Sequence, residues 1–107
     1  MNLETKKDLA SNWFKTLQDA FCDDICKLEK NKLRFKATTW KRNPKNDEGG
    51  GEYRIIQNGK IFEKVGVNFS KVYGKFPKEF KKNIPGAQKD PRFWASGISV
   101  VMHMKNP

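Results

Sequence analysis

The side chains in this sequence that best suit metal binding or nucleophilic chemistry are Cys22, Cys26 and His103. The two cysteines stand four residues apart, a spacing that places both on one side of a helix. A tetrahedral thiolate site needs further ligands, and the one His of the chain lies far away in the sequence. The N-terminus lacks a secretory signal, so a disulfide is not expected either. The pattern therefore predicts inert thiols beside a helical apolar stripe, and no metal site at the cysteine pair.

The chain is strongly basic, with 22 Lys and Arg residues against 12 acidic ones and a formal net charge of +10. Only four of the basic residues are Arg, at positions 34, 42, 54 and 92. A positive field of this size concentrates polyanionic ligands. A lysine-rich background composition would give the same pattern without any function.

Two function classes follow from charge and composition. A basic nucleic-acid-binding module with Trp40 and Tyr53 as stacking residues is one alternative, although the scarcity of Arg argues against base or phosphate recognition. A protein whose positive field concentrates a polyanionic ligand is the other. The 107 residues allow one domain, and no run of roughly 18 apolar residues could span a bilayer. These features predict a cytoplasmic protein.

One amphipathic helix is predicted from about Leu3 to Glu29, because apolar residues recur there at intervals of three and four. The predicted buried stripe consists of Ala10, Trp13, Phe14, Leu17, Phe21, Ile25 and Leu28.

Strands are predicted for the rest of the chain. Leu33–Trp40 alternates with period two, residues 41–51 with three consecutive glycines predict a flexible loop, and Arg92–Lys105 predicts a further strand. Asn58-Gly59 predicts a type I′ turn in a hairpin from about Tyr53 to Tyr73. Gly66 inside that hairpin predicts a bulge or a close approach. Pro77 allows a short helical turn.

The predicted fold class is α+β: an N-terminal amphipathic helix followed by antiparallel strands that include a β-hairpin. One helix covers only half of such a sheet. We therefore expect these elements to form part of a larger helix-covered antiparallel sheet, with residues 1–107 as the N-terminal part of a single domain.

The pattern W-x-R, G-G-G, N-G-x-x-F-E-K-x-G-V-N-x-S-x-V-x-G and G-I-S-x-V-x-H-x-x-N-P resembles the N-terminal third of the oxygen-dependent coproporphyrinogen-III oxidase family. The first matching block contains Trp40, Arg42, Gly49, Gly50, Gly51, Gly59, Phe62, Glu63, Lys64, Gly66, Val67, Asn68, Ser70, Val72 and Gly74. The second contains Gly97, Ile98, Ser99, Val101, His103, Asn106 and Pro107. The resemblance runs through nearly the whole chain in order.

This resemblance implies an enzyme that uses molecular oxygen to convert two propionates of coproporphyrinogen III to vinyl groups in haem biosynthesis. It implies that no cofactor is required. By position, Ser99 matches a substrate-binding residue and His103 matches a residue sometimes proposed as a divalent-metal ligand. The catalytic His and a substrate-binding Arg are expected downstream of Pro107, so no catalytic residue is expected in this chain, which would be an inactive fragment by itself.

The resemblance also implies a homodimer, with the hairpin region as the dimer contact. The predicted contact residues are Ile55, Ile56, Gln57, Asn58, Gly59, Lys60, Ile61, Phe62, Glu63 and Lys64. The implied partners are therefore coproporphyrinogen III, oxygen and a second copy of the chain, with no nucleic acid and no membrane span.

Overall fold

The fold is one long helix packed on one face of a four-stranded antiparallel sheet. In the computed structural model, which describes residues 2–30, 33–87 and 89–106, helix α1 spans Leu3–Glu29. Strands β1 (Lys36–Lys41), β2 (Gly49–Gln57), β3 (Phe62–Lys75) and β4 (Arg92–Met104) pair in the order β1-β2-β3-β4. A short helix α2, Lys78–Lys81, precedes β4. The predicted α+β class, the first helix and the turn after Pro77 are confirmed; Pro107 of the matched pattern lies outside the described residues.

The core lies between α1 and the sheet. Its centre is β3, where Val65 and Val67 are both 0% exposed. Ile25 and Cys22 of α1 and Ile56 of β2 complete the buried cluster. Because successive strand residues point to opposite faces, the residues of β3 that alternate with these valines lie on the other side of the sheet. No element among the described residues packs on that second side, which we call the open face.

The predicted buried stripe of α1 is partly wrong. Trp13 is 59% exposed and Leu28 54%, whereas the polar residues Gln18 and Glu29 are buried. The Gln18 side-chain amide donates hydrogen bonds to the carbonyl oxygens of Glu52 (2.9 Å) and Val67 (3.2 Å), each on a strand. The hydrogen bonds of Gln18 therefore help to set the rotation of the helix about its axis. Ile25 and Phe21 of the predicted stripe pack at the core as expected.

The three consecutive glycines lie in β2 and not in the predicted loop, which extends only to residue 48. A Cβ atom on Gly51 would be 2.9 Å from both the Phe69 carbonyl carbon and the Trp40 ring atom Cζ2. One on Gly50 would collide with the Trp40 backbone, and Gly49 has a φ of 82°. Here glycine provides room for the backbone and ring of neighbouring strands, so its presence does not indicate flexibility.

The hairpin is confirmed, but the predicted type I′ turn is wrong. Asn58 has a φ of 60°, Gly59 does not have a positive φ, and the loop between β2 and β3 contains four residues. The carboxylate of Glu29, at the end of α1, accepts hydrogen bonds from the backbone N–H groups of Lys60 (2.7 Å) and Phe62 (2.9 Å), and it also contacts the N–H of Ile61. A Cβ atom on Gly59 would collide with that carboxylate. The helix therefore determines the loop geometry.

The predicted bulge at Gly66 is also wrong. The pairing of β3 with β4 shifts between Phe62 and Lys64, and Gly66 pairs regularly with Ile55 and Val101. Because of this shift, Phe62 lies on the helix side of the sheet and is buried, whereas Glu63 is exposed. A Cβ atom on Gly66 would meet nothing within 4 Å, so no close approach within this chain requires this glycine.

Replacing Glu29 with Ala is expected to lower the free energy of unfolding by about 2–3 kcal/mol, because three backbone N–H groups lose their acceptor. Burial would raise the pKa of Glu29, but hydrogen bonds from Phe62, Ile61 and Lys60 outweigh it, and the pKa is lowered. A lowered folded-state pKa means that this stabilisation is present above the ordinary glutamate value of about 4.3 and is lost as the pH falls through the folded-state value.

Urea denaturation at pH 7 and at decreasing pH measures both effects. Glu63→Ala is the matched control, since Glu63 is exposed beside the same loop, and it should change the free energy of unfolding by less than about 0.5 kcal/mol. Equal losses for the two variants would contradict the role of Glu29.

Candidate functional site

The open face carries a row of four polar side chains that crosses all four strands. Thr38 on β1 pairs with Tyr53 on β2, Tyr53 with Asn68 on β3, and Asn68 with Ser99 on β4. Paired residues of neighbouring strands point to the same face and lie about 4.5–5.5 Å apart. We call these four residues the polar row. They place several hydrogen-bonding groups across a surface about 14 Å wide.

Glycines keep the surface beside the polar row flat. In the neighbouring row on one side, Ser70 pairs with Gly51 and Gly97. On the other side, Gly66 lies between Ile55 and Val101. Neither Gly66 nor Gly97 would have a neighbour within 4 Å of an added Cβ atom. Gly66 and Gly97 therefore leave open space above the sheet, which suits a broad ligand, whereas the Trp40 ring lies close to Gly51.

Trp40 and Asn68 are joined across β2. The Trp40 indole N–H donates to the Asn68 side-chain oxygen Oδ1 at 3.0 Å. The indole ring can cross the sheet because Gly51, directly beside it in the pairing, has no side chain. Trp40 of the W-x-R motif and Gly51 of the G-G-G motif thus both contribute to the contact with Asn68.

An arginine–aromatic cluster closes one end of the open face. The Arg42 guanidinium lies 4.8 Å from the centroid of the Phe93 ring, and Phe93 stacks on Phe76 with 4.9 Å between centroids. Arg42 also donates to the carbonyl oxygen of Tyr73 at 3.1 Å. A Cβ atom on Gly74 would be 2.9 Å from Arg42 Nη1. This glycine therefore allows the arginine to cross the sheet, where its charge lies at the margin of the open face.

The helix side of the sheet holds an ion-pair network instead of a site for a flat ligand. Arg54 bonds Glu52 at 2.6 Å and Asp19 at 2.8 Å. The hydrogen bond from Arg54 lowers the pKa of Glu52 although burial opposes it. Burial raises the pKa of the Cys22 thiol, so Cys22 is a protonated, buried thiol at neutral pH. Both cysteines are free.

A cleft of about 970 Å³ lies on the helix side, between the start of α1, the end of β3 and the start of β4. Its walls carry cations such as Lys6, Lys71 and Arg92, and the Lys7 ammonium lies 5.9 Å from the centroid of the Trp94 ring. Acidic residues Glu4, Asp8 and Asp90 lie among these cations. The mixed charge disfavours a ligand with several carboxylates, and the open face is the better candidate.

Ser99 and His103 both lie exposed on β4, on the open face. Ser99 is next to Asn68 in the polar row. His103 pairs with Lys64 and lies four residues further along the strand, about 13 Å from Ser99. The structure therefore places both residues on the proposed ligand surface, and it does not bring them together.

The described residues do not form a metal site around His103. No group of three or more His, Cys, Asp and Glu side chains comes together within residues 2–30, 33–87 and 89–106. The partner of His103 across the strands is a lysine, whose charge disfavours a nearby cation. A metal at this position would depend on ligands from outside the described residues.

The ten predicted dimer-contact residues occupy the end of β2, the hairpin loop and the start of β3. Three of them, Ile56, Gly59 and Phe62, are buried within the chain itself, and Ile55 is half-buried. The exposed ones are Gln57, Asn58, Lys60, Ile61, Glu63 and Lys64. A contact made by this region would use these exposed side chains.

Sequence reasoning missed Asn68 and Trp40 as parts of one site. The available signal was the alternation of strand side chains between two faces. It places Asn68 and Ser70 on the same face of one strand, and Ser99 on one face of another. That signal becomes informative only when the register of β3 against β4 is known.

The sheet has one helix-covered face and one polar, glycine-bearing face, and the second face has room for a broad ligand. The family model described as coproporphyrinogen III oxidase matches residues 9–107, and the chain belongs to this family.

Several relatives share the whole length of the chain. Oxygen-dependent coproporphyrinogen-III oxidases of Rickettsia felis, Rickettsia typhi and Rickettsia prowazekii are each 43% identical to it. The match covers 100% of this chain and 39% of each relative. No helix among the described residues combines the length and hydrophobicity needed to cross a membrane.

Proposed function

We propose that this chain forms one wall of the substrate pocket in an oxygen-dependent coproporphyrinogen-III oxidase. The reaction removes carbon dioxide and two hydrogen atoms from each of two propionate groups, and oxygen accepts the two electrons and two protons. The product is protoporphyrinogen IX. The observation that carries the proposal is the open face, in which a polar row lies between glycines with free space above them.

The residues of this chain would bind and orient the substrate. The substrate is a tetracarboxylate, so a positively charged protein attracts it, and hydrogen-bond donors on the face fix its position. Ser99 would contact the substrate through its hydroxyl group, as its place in the polar row allows. Acid–base catalysis would come from residues that correspond to the remaining 61% of the relatives' length, since the match covers 39%.

Other features of the function are inferred in the same way. Oxygen is the co-substrate and no cofactor is required. A homodimer would use the exposed part of the hairpin region, and His103 would join a divalent metal only with ligands from outside this chain. A cytoplasmic location stays a prediction.

Turnover by complementation tests the proposal. The chain is mixed with a polypeptide that corresponds to the part of the Rickettsia felis relative it does not match, and coproporphyrinogen III is supplied with and without oxygen. We expect fluorescent protoporphyrin after oxidation only when both polypeptides and oxygen are present, and at least about 100-fold less from either polypeptide by itself.

Two results would contradict the proposal. A stable complex of the two polypeptides without any oxygen-dependent product would contradict the assigned reaction. Sustained turnover by residues 1–107 alone would contradict the assignment of the catalytic groups to residues outside this range.

A further inference from the structure

The Asn68 side chain has a fixed orientation on the open face. An indole N–H is only a donor, so the atom of Asn68 that bonds Trp40 must be the amide oxygen. The amide nitrogen Nδ2 must therefore point away from Trp40. Among the described residues, it has no hydrogen-bond acceptor.

The arrangement around Trp40 holds this orientation in place. The indole lies over Gly51, where a Cβ atom would be 2.9 Å from ring atom Cζ2. The ring is thereby confined between its own strand and Asn68, and the bond length of 3.0 Å is ordinary for an N–H donor. An amide oriented in advance loses little conformational entropy when a ligand binds.

The neighbours of Asn68 leave its N–H groups accessible to a ligand. Tyr53 and Ser99 flank it across the strands, and Gly66 and Ser70 precede and follow it on the same face of β3. None of these is charged. The fixed donor thus faces a flat, neutral surface where an anionic acceptor would meet no competing carboxylate.

We propose that Asn68 is a ligand-binding residue that donates a hydrogen bond from Nδ2 to a carboxylate of the tetrapyrrole, and that Trp40 is the residue that positions it. This inference rests on the proposed function. It adds a recognition role beside Ser99: the two paired residues would hold one edge of the ligand from adjacent strands. A carboxylate is the preferred acceptor because charge-assisted hydrogen bonds are roughly twice as strong as neutral ones.

The Asn68→Asp variant separates ligand binding from a structural role. Its carboxylate can still accept the Trp40 N–H, but it cannot donate, and it repels an anionic ligand. The unfolding midpoint should therefore change little. Binding is measured by fluorescence titration of the 107-residue chain with coproporphyrin III, the stable oxidised form of the substrate, and in parallel with etioporphyrin, which carries no carboxylate.

We expect Asn68→Asp to weaken coproporphyrin III binding at least about 30-fold and to leave etioporphyrin binding within about twofold. Trp40→Phe keeps an aromatic ring but removes the N–H donor, and it should weaken coproporphyrin III binding about fivefold. Etioporphyrin binding should again stay unchanged.

Each other outcome overturns a specific part of the account. Equal coproporphyrin III binding by Asn68→Asp and wild type overturns the role of Asn68 while the proposed function stands. Parallel losses for both porphyrins show that Asn68 is merely structural and also overturn it. Absence of coproporphyrin III binding by the folded wild-type chain contradicts the proposed function, and the role of Asn68 with it.

Discussion

A Gly51→Ala variant is expected to lose about 3 kcal/mol of stability, whereas Gly66→Ala should lose none. The added methyl group at position 51 would be 2.9 Å from the Phe69 carbonyl carbon and from the Trp40 ring. Backbone cannot move aside as a flexible side chain can, so the cost should reach the upper end of the range for overpacking. At position 66 the same methyl group meets nothing within 4 Å.

Thermal unfolding of the two variants provides the measurement. For a domain of this size, 3 kcal/mol corresponds to a decrease in the melting temperature of roughly 12–24 °C. Gly66→Ala should be neutral or slightly stabilising, because glycine in a strand interior has an entropic cost of about 0.5–1 kcal/mol. Equal melting temperatures for the two variants would show that β2 is not packed between its neighbours as described.

A Gly97→Leu variant should bind coproporphyrin III at least about 100-fold more weakly than wild type and remain as stable. The position faces open space, so the leucine causes no clash within the chain. The leucine would project from β4 onto the open face beside Ser70, because position 97 pairs with Ser70. A bulky side chain there occupies the volume that a flat macrocycle needs.

Val100→Leu is the matched control for this variant. It adds one methylene group to the same strand but on the helix side of the sheet, where Val100 is 39% exposed. Its coproporphyrin III affinity should stay within about twofold of wild type. Equal losses from both variants would indicate a general effect on β4 and not a blocked ligand surface.

The sequence predicts elements well where the signal is local. The bounds of α1 follow from its apolar spacing and its cap: Asn2 accepts the N–H of Thr5 at 2.8 Å, and Lys30 adopts the left-handed conformation after the last turn. The hairpin follows from two strand-like runs around Asn58. These features depend on neighbouring residues only, which is why a sequence reveals them.

The remaining errors concern contacts between distant residues. The rotation of α1 depends on Gln18 reaching carbonyl groups on β2 and β3, and the loop geometry depends on Glu29. The composition of residues 49–51 predicts a loop. In the structure these glycines lie in strand β2, because β1 and β3 come too close to them for any side chain. No local pattern carries this information.

The candidate site was predictable only in part, because it too depends on contacts between distant residues. Ser99 and His103 were found through a motif, and their common face follows from their spacing of four. The connection of Ser99 to Asn68 depends on the register between β3 and β4, and the orientation of Asn68 depends on Trp40 from β1. Four strands must pair before this surface exists.

The central claim, that the open face binds the tetrapyrrole, is tested most directly by mapping backbone amide NMR shifts of the wild-type chain and Gly97→Leu during titration with coproporphyrin III. We expect the largest changes in the wild-type chain at Gly66, Asn68, Gly97 and Ser99, and their loss in Gly97→Leu. Changes confined to the helix side, around Lys7, Lys71 and Trp94, would contradict the claim and place the ligand in the mixed-charge cleft.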